Sequence, residues 1–141
     1  MKITIASDHA GYKLKEELKK YLQELGHEAE DLGTDSEESV DYPDYGKKAA
    51  KQVASSKNKG ILICGSGIGM SIVANKVKGI RAALCHNEHT VKAARQHNDA
   101  NILCLGARDI DSKTAKKLTK IFLETEASSE ERHKRRVSKI E

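Results

Sequence analysis

The chain is predicted to fold as an α/β protein, a five-stranded parallel sheet with helices on both faces. Three observations predict it. Short apolar runs alternate five times with stretches of helical periodicity. Runs such as "GILIC" are apolar on every residue, as strands buried on both faces must be. Finally, 141 residues, 38% hydrophobic and 33% charged, suit one soluble domain with a real core, expected to span 1–141.

The elements follow in order. "KITIA" (2–6) reads as the first strand. Leu14, Leu18, Tyr21, Leu22 and Leu25 then recur at three- and four-residue steps, which predicts a helix that Gly26 stops. "HEAEDL" (27–32) is a short strand whose charges place it at a sheet edge. After a polar loop, Pro43 opens a helix with Tyr45, Ala49 and Val53 on its inner face. "GILIC" (60–64) is a buried strand, and a helix runs from the following glycines to about Lys76. "IRAALC" (80–85), a helix through "EHTVKAARQHN", the strand "NILCLG" (101–106), a helix over "SKTAKKLTKIFLE" and a last helix from about Ser129 to 140 complete the pattern.

Several function classes are excluded. No run of about 18 apolar residues exists, so no membrane span is expected. "MKITIASDHAG" turns polar too early for a signal peptide, and a cytoplasmic location is expected. Cys64, Cys85 and Cys104 are odd in number and lack a C-x-x-C pair, which argues against a disulfide framework or a zinc site. The net charge of +4 gathers in "ERHKRRVSK", but the absence of aromatics from that tail argues against nucleic-acid binding.

Ligands of such sheets bind at the carboxyl ends of the strands. Those ends here read "ASDHAG", "CGSGIG", "CHNEH" and "GARD". Asp8 and His9 could move protons between oxygens of a bound substrate, although a plain turn with an Asp or Ser cap explains them too. Cys64 has the sharper case. A cysteine ending a strand is most often a small core hydrophobe, but this one precedes a helix start whose free N–H groups and dipole favour a thiolate. Gly65, Ser66, Gly67, Ile68 and Gly69 can turn several N–H groups towards one point, and Ser66 adds a hydroxyl. A thiolate beside such a cradle suits removal of a proton α to a carbonyl, the N–H groups holding the enediolate oxygen. Cys85 and Cys104 lack this setting and read as packing residues. Arg132 and Arg136, four apart on the last helix, project from one face as a phosphate clamp would, with His133, Val137 and Ile140 on an adjoining stripe that docks; a solvated basic helix end is the plain alternative.

"SDHAG", "DLGT", "DYPDY", "GILICGSGIGMSIVANK", "GIRAALC", "RQHNDANIL" and "ERHKRRV", in this order, closely resemble the type B ribose-5-phosphate isomerases, a family shared with the galactose-6-phosphate isomerase subunits. The resemblance implies a doubly wound, Rossmann- or flavodoxin-like fold and a homodimer, at times paired into tetramers, with active sites built from both subunits. It implies neither metal nor organic cofactor, and no nucleic-acid or membrane partner. Carried onto matching positions, it makes Cys64 the base and the backbone of Gly65 to Gly69 the cradle. Asp8 and His9 contact the sugar, and His97, with Asn98 beside it, assists ring opening from the partner subunit. Arg132 and Arg136 hold the phosphate, with Arg108 contributing, so the last helix completes the site. Part of the family uses a glutamate as base; Cys64 puts this chain with the cysteine type. Ser66 stands where many members carry threonine, and keeps the hydroxyl. The expected reaction is interconversion of ribose 5-phosphate and ribulose 5-phosphate. A six-carbon sugar phosphate such as allose or galactose 6-phosphate is the alternative within the family, and a non-catalytic phosphometabolite-binding module the alternative outside it.

Overall fold

The computed structural model describes residues 1–140. Along the chain these form β1 (Lys2–Ser7), α1 (Tyr12–Glu24), β2 (Glu28–Asp31), α2 (Tyr42–Ser56), β3 (Lys59–Cys64), α3 (Ile68–Ala74), β4 (Ala82–Leu84), α4 (Glu88–Asn98), β5 (Ile102–Gly106), α5 (Ser112–Glu124) and α6 (Glu131–Ser138). The five strands make one parallel sheet in the order β2-β1-β3-β5-β4. The edge strands β2 and β4 are short and only partly buried, whereas the three inner ones are buried almost throughout.

Alternation along the inner strands sorts the core into two layers. Ile3, Ile5, Ile61, Ile63, Leu103 and Leu105 pack on one face against α1, α4 and α5. Ala6, Leu62, Cys64, Ile102 and Cys104 pack on the other against α2 and α3. The split follows from right-handed crossovers: leaving β1 for β2 and leaving β2 for β3 are steps in opposite directions, so their helices fall on opposite faces. Among the described residues, no helix is long and apolar enough to cross a membrane.

The largest boundary differences from the sequence-based expectation lie at β4, α3 and α6, where side chains capture backbone groups. β4 covers 82–84 rather than 80–85. The Asn101 side chain takes the Arg81 N–H at 2.8 Å, and the Asn75 amide takes both the N–H and the C=O of Ala82, at 2.8 and 2.9 Å. The same use of Asn75 ends α3 at Ala74 rather than Lys76. α6 begins at Glu131 rather than Ser129, because the Ser128 N–H binds the Gln96 carbonyl at 3.0 Å and the Ser128 hydroxyl accepts the Glu130 N–H at 3.1 Å.

One buried residue lies outside the apolar periodicity of α1. Lys15 is 1% exposed, its stem covered and its Nζ 2.6 Å from Asp31 Oδ2 and 3.2 Å from Glu16 Oε2. Lys19 reaches the same Asp31 oxygen at 2.9 Å. The charges of β2, which mark it as an edge in the sequence, thus also tie that edge to α1.

Candidate active site

The carboxyl ends of β1, β3 and β5 surround a cavity of about 480 Å³ lined by Asp8, Tyr42, Cys64, Gly65, Ser66, Ile68, Gly69, Ile72, Arg108 and Asp109. Parallel strands in register bring these together: Ser7 stands opposite Ile63, and Cys64 opposite Gly106. Gly106 has to be glycine, since a Cβ there would lie 2.6 Å from the Ser66 carbonyl oxygen. The end of β4, "CHNEH", contributes no lining residue, because β5 intervenes between β3 and β4.

Cys64 is 4% exposed and its sulfur accepts the Gly67 N–H at 3.2 Å. Gly67 makes this possible by adopting the left-handed conformation, with φ of 78°. The loop then turns directly into α3. Ser66 Oγ accepts the Ile68 N–H at 3.2 Å, which leaves its own hydrogen to point elsewhere. Among the described residues, no backbone carbonyl takes up the N–H groups of Gly65, Ser66, Gly69 or Met70. The expected cradle spans Gly65 to Gly69; of its N–H groups, those of Gly67 and Ile68 are bound within the loop, to Cys64 and Ser66. Gly65 leaves room for the Arg108 guanidinium, whose Nη1 would lie 3.1 Å from a Cβ at that position.

Asp8 is buried: Oδ1 accepts the Gly11 N–H at 3.1 Å, as the turn reading expects, and the residue lines the cavity. His9 is half-buried beside it. Its Nδ1 accepts the Val40 N–H at 3.2 Å, so the neutral ring carries its proton on Nε2 and offers that N–H as a donor. Cys85 and Cys104 are buried away from the cavity, and burial pushes both thiols up, keeping them neutral. Among the described residues, no group of three His, Cys, Asp or Glu side chains could hold a metal ion.

Tyr42, Ile72 and Asp109 are lining residues to which the sequence reading attached no role. The Tyr42 ring packs against Gly69, where a Cβ would lie 2.5 Å from its nearest atom. Its signal is present in the sequence as the first tyrosine of "DYPDY", and Asp109 ends "GARD". Tyr42, Ile68 and Ile72 are 39%, 52% and 57% exposed and form an apolar rim at the mouth.

Within one chain, the structure does not bring His97, Asn98, Arg132 or Arg136 to this cavity. α4 runs antiparallel to the strands, so its last turn lies at their amino ends, where Asn101 accepts the Gly60 N–H at the start of β3. The six residues of β3 separate that edge from Cys64 by about 17 Å. There His97 stacks on His133 of α6, with ring centres 4.5 Å apart and planes 9° from parallel. Docking on α4 leaves His133 8% exposed, and burial together with His97 and Arg132 lowers its basicity. Arg132 and Arg136 are both exposed; Arg132 Nε is 2.8 Å from Glu130 Oε2. Within one chain α6, docked on α4, thus lies at the opposite edge of the sheet from Cys64, and the expectation that it completes a site built from two subunits is carried into the proposal below.

Known proteins share both the sequence and this architecture. A solved Clostridium thermocellum ribose-5-phosphate isomerase B is 50% identical and superimposes with a TM-score of 0.96, covering 99% of this chain and 95% of that one. The type B ribose 5-phosphate isomerase of Trypanosoma brucei is 48% identical with a TM-score of 0.95, over the same shares of the two chains. Ribose-5-phosphate isomerase B of Escherichia coli is 42% identical over 99% of this chain and 93% of its own. The family model described as Ribose/Galactose Isomerase matches residues 3–140, and the chain belongs to that family.

Proposed function

We propose that the protein interconverts ribose 5-phosphate and ribulose 5-phosphate through an enediolate, with Cys64 as base. The observation that carries this is the Cys64 sulfur, hydrogen-bonded to the Gly67 N–H, beside unpaired N–H groups at the mouth of the sheet. In the open-chain aldose, the Cys64 thiolate takes the proton from C2. The electron pair moves into a C1–C2 double bond, and the negative charge on O1 is held by the cradle N–H groups. The thiol then returns the proton to C1. A hydroxyl hydrogen moves from O2 to O1 to balance the change, and Ser66, its oxygen already oriented by the Ile68 N–H, relays it. Asp8 and the Nε2–H of His9 orient the sugar hydroxyls.

The remaining parts come from a second subunit. The cavity's own cation is the exposed Arg108, which is little for a phosphate dianion, and the rim of Tyr42, Ile68 and Ile72 is open to a partner surface. A partner's α4 end and α6 laid against that rim bring His97 and Asn98 for ring opening, and Arg132 and Arg136 for the phosphate, whose oxygens match the planar fork of arginine.

The test is turnover of ribose 5-phosphate against allose and galactose 6-phosphates, with the C64A variant alongside. Ribose 5-phosphate is expected to be preferred, and C64A to lose roughly 100- to 10,000-fold in kcat, the usual worth of a positioned base. Near-normal turnover by C64A overturns the base assignment, and a six-carbon preference overturns the substrate. For the shared site, mixing C64A with H97A should restore activity as subunits exchange; no restoration despite exchange overturns it.

A further inference from the structure

The turn after His97 is restrained beyond what ends a surface helix. Asp99 follows the last residue of α4 in the left-handed region, with φ of 45°, a conformation uncommon outside glycine, and its carboxylate and carbonyl are both held. Two arginines from different elements hold them. Arg95 Nη1 binds Asp99 Oδ1 at 3.0 Å and the Ala100 carbonyl at 2.5 Å. Arg81 Nη2 binds Asp99 Oδ2 at 3.3 Å, and its Nε is shared between the carbonyls of Asn98 and Asp99 at 3.1 and 3.0 Å. These are carbonyls that a helix end leaves without partners. Arg95 is 4% exposed, and its Nε also holds the Thr125 carbonyl at 2.9 Å, where α5 gives way to the linker that carries α6. Ser128 of that linker is tied in turn to Gln96.

A glycine or asparagine would end the helix without any of this. What the arrangement adds is a fixed relation between the backbone carrying His97 and Asn98 and the linker placing His133, Arg132 and Arg136. We propose that Arg81, Asp99 and Arg95 are positioning residues: together they hold the half-site that α4 and α6 present to the partner subunit's cavity. The proposal rests on the shared-site reading above. It assigns a role to Arg81 of "GIRAALC", which no step of the reaction uses, and it needs no contact between the clamp and the substrate.

The experiment uses full-length R81A and D99G, each alone and mixed with C64A under conditions of subunit exchange. R81A removes a side chain that is 22% exposed, and D99G keeps the left-handed turn while losing the carboxylate. A misplacement on the order of 1 Å costs roughly 100-fold, so kcat/KM is expected to fall by about 10- to 100-fold in both. Mixing with C64A should restore activity, because in the mixed dimer one site combines the variant's Cys64 with an intact half-site from C64A. A variant that merely weakened the fold would not regain activity in this way. The clamp is overturned if kcat/KM stays at the wild-type level, if neither variant is complemented by C64A while H97A is, or if both variants lose the dimer, which would make the turn an interface element. Failure of the H97A and C64A control pair removes the shared site itself, and the clamp's role with it.

Discussion

Gly67→Ala tests whether the cradle depends on the left-handed turn at the end of β3. Gly67 has φ of 78°, which costs an L side chain about 1–2 kcal/mol, partly offset by about 0.4–1 kcal/mol from the lower entropy of the unfolded chain. Space is the larger problem. A Cβ there would lie 2.5 Å from Leu84 Cδ1, 2.9 Å from the Leu105 carbonyl carbon and 3.1 Å from the Gly106 nitrogen. Leu84 can rotate, but two of these atoms are backbone of an inner strand, so overpacking adds about 1–3 kcal/mol. The sum is about 1–4.5 kcal/mol. Gly79 supplies the control: its φ is 88° with nothing within 4 Å of a Cβ, so Gly79→Ala carries the conformational part alone and should cost about 1 kcal/mol or less. Urea denaturation of both variants measures the difference. Since the loop must shift and the Gly67 N–H with it, Gly67→Ala should also lower kcat, whereas Gly79→Ala should not. Equal stability losses in the two variants would refute the packing argument, and unchanged kcat in a folded Gly67→Ala would refute the role given to the turn.

Further outcomes are expected. Replacing Arg136 by Ala should raise KM strongly while Arg135→Ala changes it little; steady-state kinetics giving equal small effects would leave the phosphate clamp without support. Activity should survive dialysis against a strong chelator, because the cradle N–H groups supply the oxyanion stabilisation, and a loss restored by a divalent cation would contradict this. Asp31→Asn tests the buried Lys15 pair. Burial alone would raise the Asp31 carboxyl, but hydrogen bonds from Lys15 and Lys19 outweigh it and hold the group below the usual carboxylate range. A lowered folded-state value contributes stability that is present above the unfolded value of about 3.9 and is lost as pH falls through the folded one. The variant should therefore be about 1.5–3 kcal/mol less stable at neutral pH, the worth of hydrogen bonds to a charged group. The gap to the wild type should narrow below about pH 4. A gap independent of pH in denaturation curves would show that the charge is not the cause.

Sequence alone determined the local elements and the place where a cysteine and its glycine loop meet at the mouth of the sheet. The apolar stretches of β1, β3 and β5, and the periodic leucines of α1, report burial on two faces or one, and burial pattern is a local property of the chain. The cysteine and its glycines were legible because a strand, a bare loop and a helix start follow one another within a few residues, so their spatial relation is their sequence relation. Lys15 was not legible: a lysine inside a charged run marks a solvated face unless a carboxylate from another element, here Asp31, meets it.

Only the tertiary structure decided which strand ends become neighbours. The sequence places "CHNEH" among the candidate ends on the same terms as "GARD", yet β5 takes the place beside β3, so Arg108 and Asp109 line the cavity and the end of β4 does not. It also decided that His97 and Cys64 stand at opposite ends of one sheet. A helix that returns the chain to the start of the next parallel strand must carry its last turn to the strands' amino ends, so residues at the end of such a helix are far from their own chain's strand tips, whatever chemistry their types suggest.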